Sequence, residues 1–144
     1  MKKIFILLIF LSFSLFAREK GQTEITTEEG IEVFQKEKYY LLKKNVIIES
    51  DEFLLSADLV KAFFEEDLYD IKRIESEGNV KFSSSQNFNA IGEKLNFSIK
   101  DNLINIYGNN ALIEMNNLSM KSDKYIMIDD VIWCMNIPSC CMYA

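Results

Sequence analysis

The stretch 53–64, FLLSADLVKAFF, constrains the fold more than any other part of the chain. Every second residue from Phe53 to Ala57 is apolar, and after Asp58 the apolar row continues on the other parity from Val60 to Phe64. A period of two is typical of a β-strand, because successive side chains leave a pleated strand on opposite faces. A one-residue slip that keeps the apolar row on one face indicates a bulge or a tight corner. The sequence therefore predicts a strand that changes phase at Asp58.

The same pattern recurs along the chain. The slip begins at an acidic residue in each copy, Asp58, Glu93 and Asp123, and the copies are separated by 35 and 30 residues. A partial earlier copy spans residues 29–33. Glycine and asparagine recur between the copies, and their positive φ values suit hairpin turns, so we expect turns at residues 43–45, 77–80 and 108–111. These features together indicate a repeated unit of two strands and a corner.

Short apolar segments follow one another at close spacing, with a single proline and without alternation of strands and helices. Polar turns are expected at residues 84–87, 100–102 and 116–117. The pattern predicts an all-β meander of about a dozen short antiparallel strands. A short helix within residues 54–74 is the alternative, but the acidic run 65–67 interrupts the helical spacing, which favours a strand, a turn and a second strand.

The first 17 residues are predicted to be a signal peptide. Two lysines follow Met1, and residues 4–16 form an almost unbroken apolar run of 13 residues, which is shorter than the roughly 20 residues of a membrane-spanning helix. The alternative is a retained anchor. The folded domain is expected at 23–130.

An atypical tail is predicted at residues 131–144. It contains all three cysteines, Cys134, Cys140 and Cys141. Export implies an oxidising compartment, where an odd number leaves at least one thiol unpaired. The tail is either an altered reading frame or a last apolar strand that a partner covers.

The charge excludes several classes of function. Without Lys2 and Lys3, 14 basic residues remain against 22 acidic ones, a net charge of about −8, which argues against nucleic acid, anionic membranes and long-range attraction of anionic ligands. The chain has no histidine, so we expect no imidazole base, no catalytic residues, no metal site and no cofactor. The acids at the slips could be paired catalytic carboxylates, but solvated turn residues are the favoured interpretation.

The apolar row is the remaining candidate for a site. It is expected to form one face across several strands, either as a closed core or as a groove for an acyl chain. Burial of a methylene contributes about 0.8 kcal/mol, so a dozen carbons give on the order of 10 kcal/mol before other terms. The candidate residues are Ile25, Phe53, Leu55, Val60, Phe64, Val80, Phe82, Phe88, Leu95, Phe97 and Ile99.

Four motifs in order, residues 25–32 (ITTEEGIE), 44–46 (KNV), 56–60 (SADLV) and 77–82 (EGNVKF), resemble the repeat of the OstA-like family. The resemblance covers about residues 23–130. It implies an open, slightly twisted antiparallel β-jellyroll built from repeated strand pairs, with a hydrophobic groove. It also implies a periplasmic transport protein that shields the lipid A acyl chains of lipopolysaccharide between the inner and outer membranes.

The resemblance also implies partners. Family members dock end to end, through their terminal strands, with LptC-like and LptD-like β-jellyroll domains or with further copies of themselves, because exposed strand edges can pair across chains. Here those edges are expected near residues 23–33 and 125–133, and the second lies where the sequence departs from the family. The alternatives are an LptC-like membrane-anchored component of the same pathway and a periplasmic β-repeat scaffold without a lipid ligand.

Overall fold

Antiparallel β-strands form a single open sheet in the computed structural model, which describes residues 23–68, 70–116, 118–128, 131–135 and 141–143. The described residues contain ten strands and no helix, which confirms the all-β prediction and excludes the helix considered within residues 54–74. The strands are β1 (Glu24–Thr26), β2 (Ile31–Phe34), β3 (Tyr39–Glu49), β4 (Phe53–Phe64), β5 (Ile71–Ser84), β6 (Phe88–Ser98), β7 (Leu103–Met115), β8 (Leu118–Ile128), β9 (Val131–Met135) and β10 (Cys141–Tyr143).

Strands β3 to β8 pair in chain order, each with the next. At one edge both β1 and β2 pair with β3, and at the other both β9 and β10 pair with β8. The last two strands lie in the predicted tail. The predicted signal peptide lies outside the described residues, and so do the side chains of the three cysteines. In the described part of the chain, no helix is long and apolar enough to span a membrane.

Three of the predicted hairpin turns are wrong. Residues 43–45, 77–80 and 108–111 lie inside β3, β5 and β7, so the sheet has long strands of 11 to 14 residues instead of about a dozen short ones. The positive φ values of Lys44, Asn45, Gly78 and Asn79 do occur there. They form bulges instead of chain reversals, because an extra residue on one strand can be left unpaired without ending the strand. The turns predicted at 84–87, 100–102 and 116–117 do separate successive strands.

The bulges lie side by side across the sheet, and we call this row the bulge line. Lys44 and Asn45 lie opposite Asp58, Gly78 and Asn79 lie opposite Glu93, and the register of β7 and β8 shifts at position 123. The slips read from the sequence are therefore confirmed. However, the acids are not turn residues, since each lies within a strand.

Polar contacts join the exposed acids to the bulges that face them. The Asn79 side-chain amide donates to Oδ2 of Asp58 over 2.7 Å. The backbone N–H of Asn109 donates to Oε1 of Glu93 over 3.4 Å. These acids have an architectural role, because they bind polar groups that the bulged strands present at the bulge line.

The sheet folds over on itself at the bulge line. In the register of β5 and β6, Phe82 faces Ala90, and Phe97 lies seven residues further along, about 23 Å away in a straight strand. Yet the rings of Phe82 and Phe97 lie 5.6 Å apart, and that of Phe53 lies 5.3 Å from Phe97. The two halves of the sheet must therefore face each other.

We name the two halves limb A and limb B. Limb A consists of β1, β10 and, from the long strands, residues 46–49, 53–57, 80–84, 88–92, 111–115 and 118–122. Limb B consists of β2, β9 and, from the long strands, residues 39–43, 59–64, 71–77, 94–98, 103–107 and 124–128. The core lies between them. Leu55 and Ala57 are buried before the slip in β4, and Val60, Ala62 and Phe64 are buried after it. The change of phase thus keeps one apolar face inward along the whole strand.

The first two strands act as a single edge strand that is interrupted at the bulge line. Ile25 lies opposite Ile48 in limb A, and Ile31 lies opposite Leu42 in limb B. Between them, the N–H groups of Glu28 and Glu29 donate to the carbonyl groups of Lys44 and Lys43. This is the partial copy of the repeat that the sequence indicated at residues 29–33.

Glu28 lies at the bulge line of this edge strand, in a position equivalent to that of Asp58, which contacts Asn79. The Asn45 side-chain amide donates to Oε1 of Glu28, and Lys44 Nζ lies 3.4 Å from Oε2. The hydrogen bond from Asn45, followed by that from Lys44, holds the pKa of Glu28 below its ordinary value. Because the pKa of Glu28 is lowered, the contact stabilises the folded state at pH values above the pKa of the unfolded state. This stabilisation is lost as the pH falls through the pKa of the folded state.

Removing the Asn45 side chain is expected to raise the pKa of Glu28 toward its ordinary value, because the largest cause of the shift is then gone. Asn45→Gly suits this test, since glycine tolerates the positive φ at this position. Carboxyl carbon chemical shifts, followed by NMR from neutral to acid pH, report the pKa in both proteins. Asn79→Gly is the matched control, because Asn79 also has a positive φ but contacts Asp58, and it is expected to leave the pKa of Glu28 the same.

Candidate functional site

A cavity of about 640 Å³ lies between the limbs at the edge formed by β1 and β2. We call it the interlimb cavity. Its volume falls within the range of about 300 to 1,000 Å³ that is typical of small-molecule pockets. Its walls come from both limbs and are mostly apolar, and the described residues that line it are Thr23, Ile25, Ile31, Tyr40, Leu42, Ile48, Ser50, Asp51, Glu52, Phe53, Leu68, Asp70, Ile71, Ile74 and Ile99.

A second cavity of about 360 Å³ continues from the first, away from the β1–β2 edge. The two share Glu52, Phe53 and Ile99 in their walls. Phe82 and Phe97 line the second cavity, but most of its lining surface is polar and comes from Glu52 and the turns 84–86 and 99–102. Phe53 and Ile99 therefore stand between the two cavities, and movement of either side chain would change how far the interlimb cavity extends.

The predicted site residues divide into two groups. Five line a cavity: Ile25 the first, Phe82 and Phe97 the second, and Phe53 and Ile99 both. The other six lie buried in the core and line neither cavity: Leu55, Val60, Phe64, Val80, Phe88 and Leu95. The inward row thus supplies both a packed core and the wall of an apolar space.

Sequence reasoning missed much of the cavity wall, above all Tyr40, Leu42 and Ile48 on β3 and Ile71 and Ile74 on β5. The alternation of Tyr40 with Leu42 was a usable signal. It was not used because residues 43–45 were expected to end one strand and begin another. Once β3 is a single strand crossing the bulge line, Leu42 and Ile48 come from opposite limbs and face the same space.

Two local contacts shape the cavity. At the turn before β4, the N–H groups of Glu52 and Phe53 both donate to Oγ of Ser50, over 3.2 and 3.0 Å, which fixes where β4 begins and aims Phe53 inward. In limb B, the Tyr40 hydroxyl donates to the carbonyl group of Leu68. This bond ties the loop between β4 and β5 to the wall of the cavity.

The inner face is open at the sheet edge. Ile31 and Val33 lie opposite Leu42 and Tyr40, so they point to the same inner side as these residues. Leu42 is fully buried, whereas Ile31 and Val33 are 50% and 48% exposed. Apolar side chains that point inward but contact solvent indicate that the space between the limbs reaches the surface at β2.

Acidic groups stand at the rim of the interlimb cavity. Asp51, Glu52 and Asp70 line it and are exposed. None of the described residues that line either cavity is a lysine or an arginine. Lys72 Nζ lies 2.8 Å from Oδ1 of Asp70, and this hydrogen bond is the main reason why the pKa of Lys72 is raised.

The chemistry of the remaining charged residues is limited. Two short clusters of basic residues, 43–44 and 72–73, form ion pairs on the surface, for example Lys43 with Glu32 at 2.7 Å and Arg73 with Glu75 at 3.3 Å. Lys36 and Lys38 are exposed in the turn before β3. No group of three or more acidic, cysteine or histidine side chains is placed to hold a metal ion within the described residues. Within the described residues, the interlimb cavity is the feature best suited to bind a ligand, because its walls are mostly apolar and it reaches the surface at β2.

Comparisons with known proteins support the fold. No family model matches the chain, and no curated protein matches its sequence. Among solved structures, the chain is similar to LptH from Pseudomonas aeruginosa, described as the LptA-homologous periplasmic component of the conserved lipopolysaccharide transport device. The TM-score is 0.74 at 10% sequence identity, over 86% of this chain and 95% of the LptH chain. At this identity the likeness concerns the fold, which is an open, LptA-like β-jellyroll.

Proposed function

We propose that this protein is a periplasmic lipopolysaccharide-binding transport protein that shields lipid A acyl chains between its two limbs. The observation that carries the proposal is the interlimb cavity, an apolar space that reaches the surface at β2. The LptA-like fold supports it, since the neighbour in fold is described as a lipopolysaccharide transport component. The transport would supply lipopolysaccharide for assembly of the outer membrane.

The energetics suit a chain-like apolar ligand. Each buried methylene contributes about 0.8 kcal/mol, so an acyl chain can bind without specific polar contacts. Ile25, Phe53 and Ile99 would contact the chain first, with Tyr40, Leu42 and Ile74 on the facing walls. The buried residues Leu55, Val60, Val80 and Leu95 would support the wall from behind, and Phe82 and Phe97 would extend the groove if Phe53 moves aside.

Bridging between the inner and outer membranes would use the two edges of the sheet. In the described part of the chain, the outer sides of β1 and β2 pair with no further strand, and such an edge can add a strand from another chain. LptC-like or LptD-like β-jellyroll domains, or another copy of this protein, would dock there or at β9 and β10. The interlimb cavity opens at that same edge, so docking would join one apolar groove to the next.

Two alternatives make different predictions. An LptC-like membrane-anchored component would retain residues 1–17, and the mass of the mature amino terminus separates it from a secreted carrier. A β-repeat scaffold without a lipid ligand would leave the interlimb cavity without a function, and it would bind no acyl chain.

Filling the cavity provides the test. Ile25→Trp is expected to weaken binding of a fluorescent 12-carbon acyl probe at least about tenfold, because the indole takes the space of several methylenes. Thr26→Trp is the matched control, since this neighbouring residue is exposed and lies opposite Ile47 on the outer face. Probe fluorescence is titrated for both variants, and circular dichroism checks that each is folded.

The proposal fails if the native protein does not bind the probe, or if the two tryptophan variants weaken binding equally. Equal weakening would mean that the probe contacts the sheet edge without entering the space between the limbs. Binding that only Ile25→Trp impairs would locate the chain in the interlimb cavity.

A further inference from the structure

Two side chains form a wall that divides the space between the limbs. Phe53 begins β4 in limb A, and Ile99 directly follows β6 at the end of limb B. Both line the interlimb cavity and the second cavity. The ring of Phe53 also reaches the opposite limb, because it makes an edge-to-face contact with Phe97 at a centroid distance of 5.3 Å. An apolar chain that enters at the β1–β2 edge therefore meets this wall before it can enter the second cavity.

Hydrogen bonds hold the backbone on both sides of the wall. The N–H of Phe53 donates to Oγ of Ser50 over 3.0 Å, and the N–H of Ser50 donates to the carbonyl group of Phe53 over 2.9 Å. The N–H of Ile99 donates to the carbonyl group of Lys72 over 2.9 Å. The ring of Phe53 also stacks on that of Phe82, with the centroids 5.7 Å apart. The fold thus sets the position of the wall, and a ligand that displaces Phe53 must break its ring contacts.

The second cavity offers less to an apolar chain than the first. The walls of the interlimb cavity are mostly apolar, whereas most of the surface that lines the second cavity is polar. Phe82 and Phe97 belong to its apolar lining, but both already contact the ring of Phe53. A methylene gains free energy only where apolar surface is removed from water. Carbons that pass the wall would therefore add little to the affinity.

We propose that Phe53, together with Ile99, limits the length of acyl chain that the interlimb cavity takes. The inference rests on the proposed function, because it concerns the chain that fills this cavity. Two steps between strands, from β1 to β3 and from β3 to β4, separate the edge from Phe53, which is about 10 Å at roughly 4.8 Å a step. An extended alkyl chain advances about 1.25 Å per carbon, since its C–C bonds are about 1.5 Å long and alternate in direction. About eight carbons therefore reach from the edge to the wall, and further carbons stay outside the cavity.

The test measures how affinity depends on chain length. Alkyl maltosides with chains of six to fourteen carbons, each below its micelle-forming concentration, displace a fluorescent acyl probe from the protein. In the native protein we expect the dissociation constant to fall about fourfold for each added methylene up to about eight carbons. Beyond this break, each methylene is expected to lower it by less than about twofold, because the added carbons remain in water.

Variants of the wall link the break to Phe53. Phe53→Ala is expected to move the break to about twelve carbons, because it joins the two cavities, and one more strand step of about 4.8 Å takes about four carbons. Ile99→Ala opens the wall from limb B without removing a ring, so it should move the break in the same direction and replaces Phe53→Ala if that variant does not fold. Leu54→Ala is the matched control, since Leu54 is the next residue of β4 but is 44% exposed on the outer face, and it should keep the native break. Circular dichroism checks that each variant is folded.

The outcomes separate the two proposals. If the affinity of the native protein rises evenly from six to fourteen carbons, or if the folded wall variants keep the native break, the length limit is overturned and the proposed function stands. An equal shift of the break in Leu54→Ala would also overturn the length limit. If no maltoside displaces the probe and the probe itself does not bind, the proposed function fails, and the length limit fails with it.

Discussion

Replacing Phe82 by alanine is expected to lower the free energy of unfolding by about 3 to 5 kcal/mol, the range for removing a fully buried aromatic side chain. Phe82 is 3% exposed. Its ring lies 5.7 Å from that of Phe53, 6.1 Å from that of Phe88 and 5.6 Å from that of Phe97. Phe97 belongs to the other limb, so the substitution removes packing within limb A and packing between the limbs.

Phe63→Ala is the control for this prediction. Phe63 is half-buried on the outer face of β4, where it contacts Tyr39 and Arg73. Its loss is expected to cost about 1 kcal/mol, since much of the ring already contacts water. Urea denaturation of both variants gives the comparison. Similar losses for the two would contradict the assignment of Phe82 to packing between the limbs.

Gly78→Ala is expected to lower the free energy of unfolding by about 3 kcal/mol, because backbone strain and steric overlap add at this position. Gly78 has a φ of 80°, which disfavours any residue with a Cβ atom. A Cβ built on Gly78 would also lie 2.5 Å from Oδ2 and 2.9 Å from Cβ of Asp58. The overlap with Oδ2 can be relieved by rotating the Asp58 side chain, but that with Cβ requires a shift of the backbone.

Gly30→Ala separates the two causes. Gly30 has a similar φ of 84°, but a Cβ there would meet no atom within 4 Å, so only the backbone strain of about 1 kcal/mol is expected. A second check is the Asp58→Gly background, in which Gly78→Ala should cost about as much as Gly30→Ala. If Gly78→Ala costs no more than Gly30→Ala in the native background, the close packing across the bulge line is wrong.

The sequence was informative about the fold because two periodicities coincide. The alternation in residues 53–64 and the recurrence of the slip at Asp58, Glu93 and Asp123 identified the strands, the inward face and the row of phase changes. These features depend on local side-chain order, which can be read from one sequence. The resemblance to the OstA-like repeat added the open β-jellyroll, and the structure agrees with it.

The sequence was misleading where glycine and asparagine suggested chain reversal. Gly78 and Asn79 have the positive φ values of a hairpin turn, yet the strand continues through them. A turn and a bulge have similar local conformations, and the choice between them depends on the strand that lies opposite. For this reason six short segments were predicted where β3, β5 and β7 are three long strands.

The candidate site was only partly predictable for a related reason. An inward row can be read from alternation, but whether a given member packs in the core or lines a space depends on how the limbs face each other. Phe88 and Phe53 both belong to the alternating inward row of their strands. Yet Phe88 is buried in the core, whereas Phe53 stands between two cavities. The acidic groups at the cavity also depend on the fold, since Glu52 precedes β4 and Asp70 precedes β5, yet both line the same cavity.

Photocrosslinking at Phe53 and Leu54 tests most directly whether lipopolysaccharide binds between the limbs. These neighbouring residues of β4 point to opposite faces: Phe53 lines both cavities, whereas Leu54 is 44% exposed. Benzoylphenylalanine is placed at each position, and the protein is irradiated in cells that produce lipopolysaccharide. The account predicts a crosslink to lipopolysaccharide from position 53 and little or none from position 54. A crosslink from position 54 alone, or from neither position in a folded protein, would contradict it.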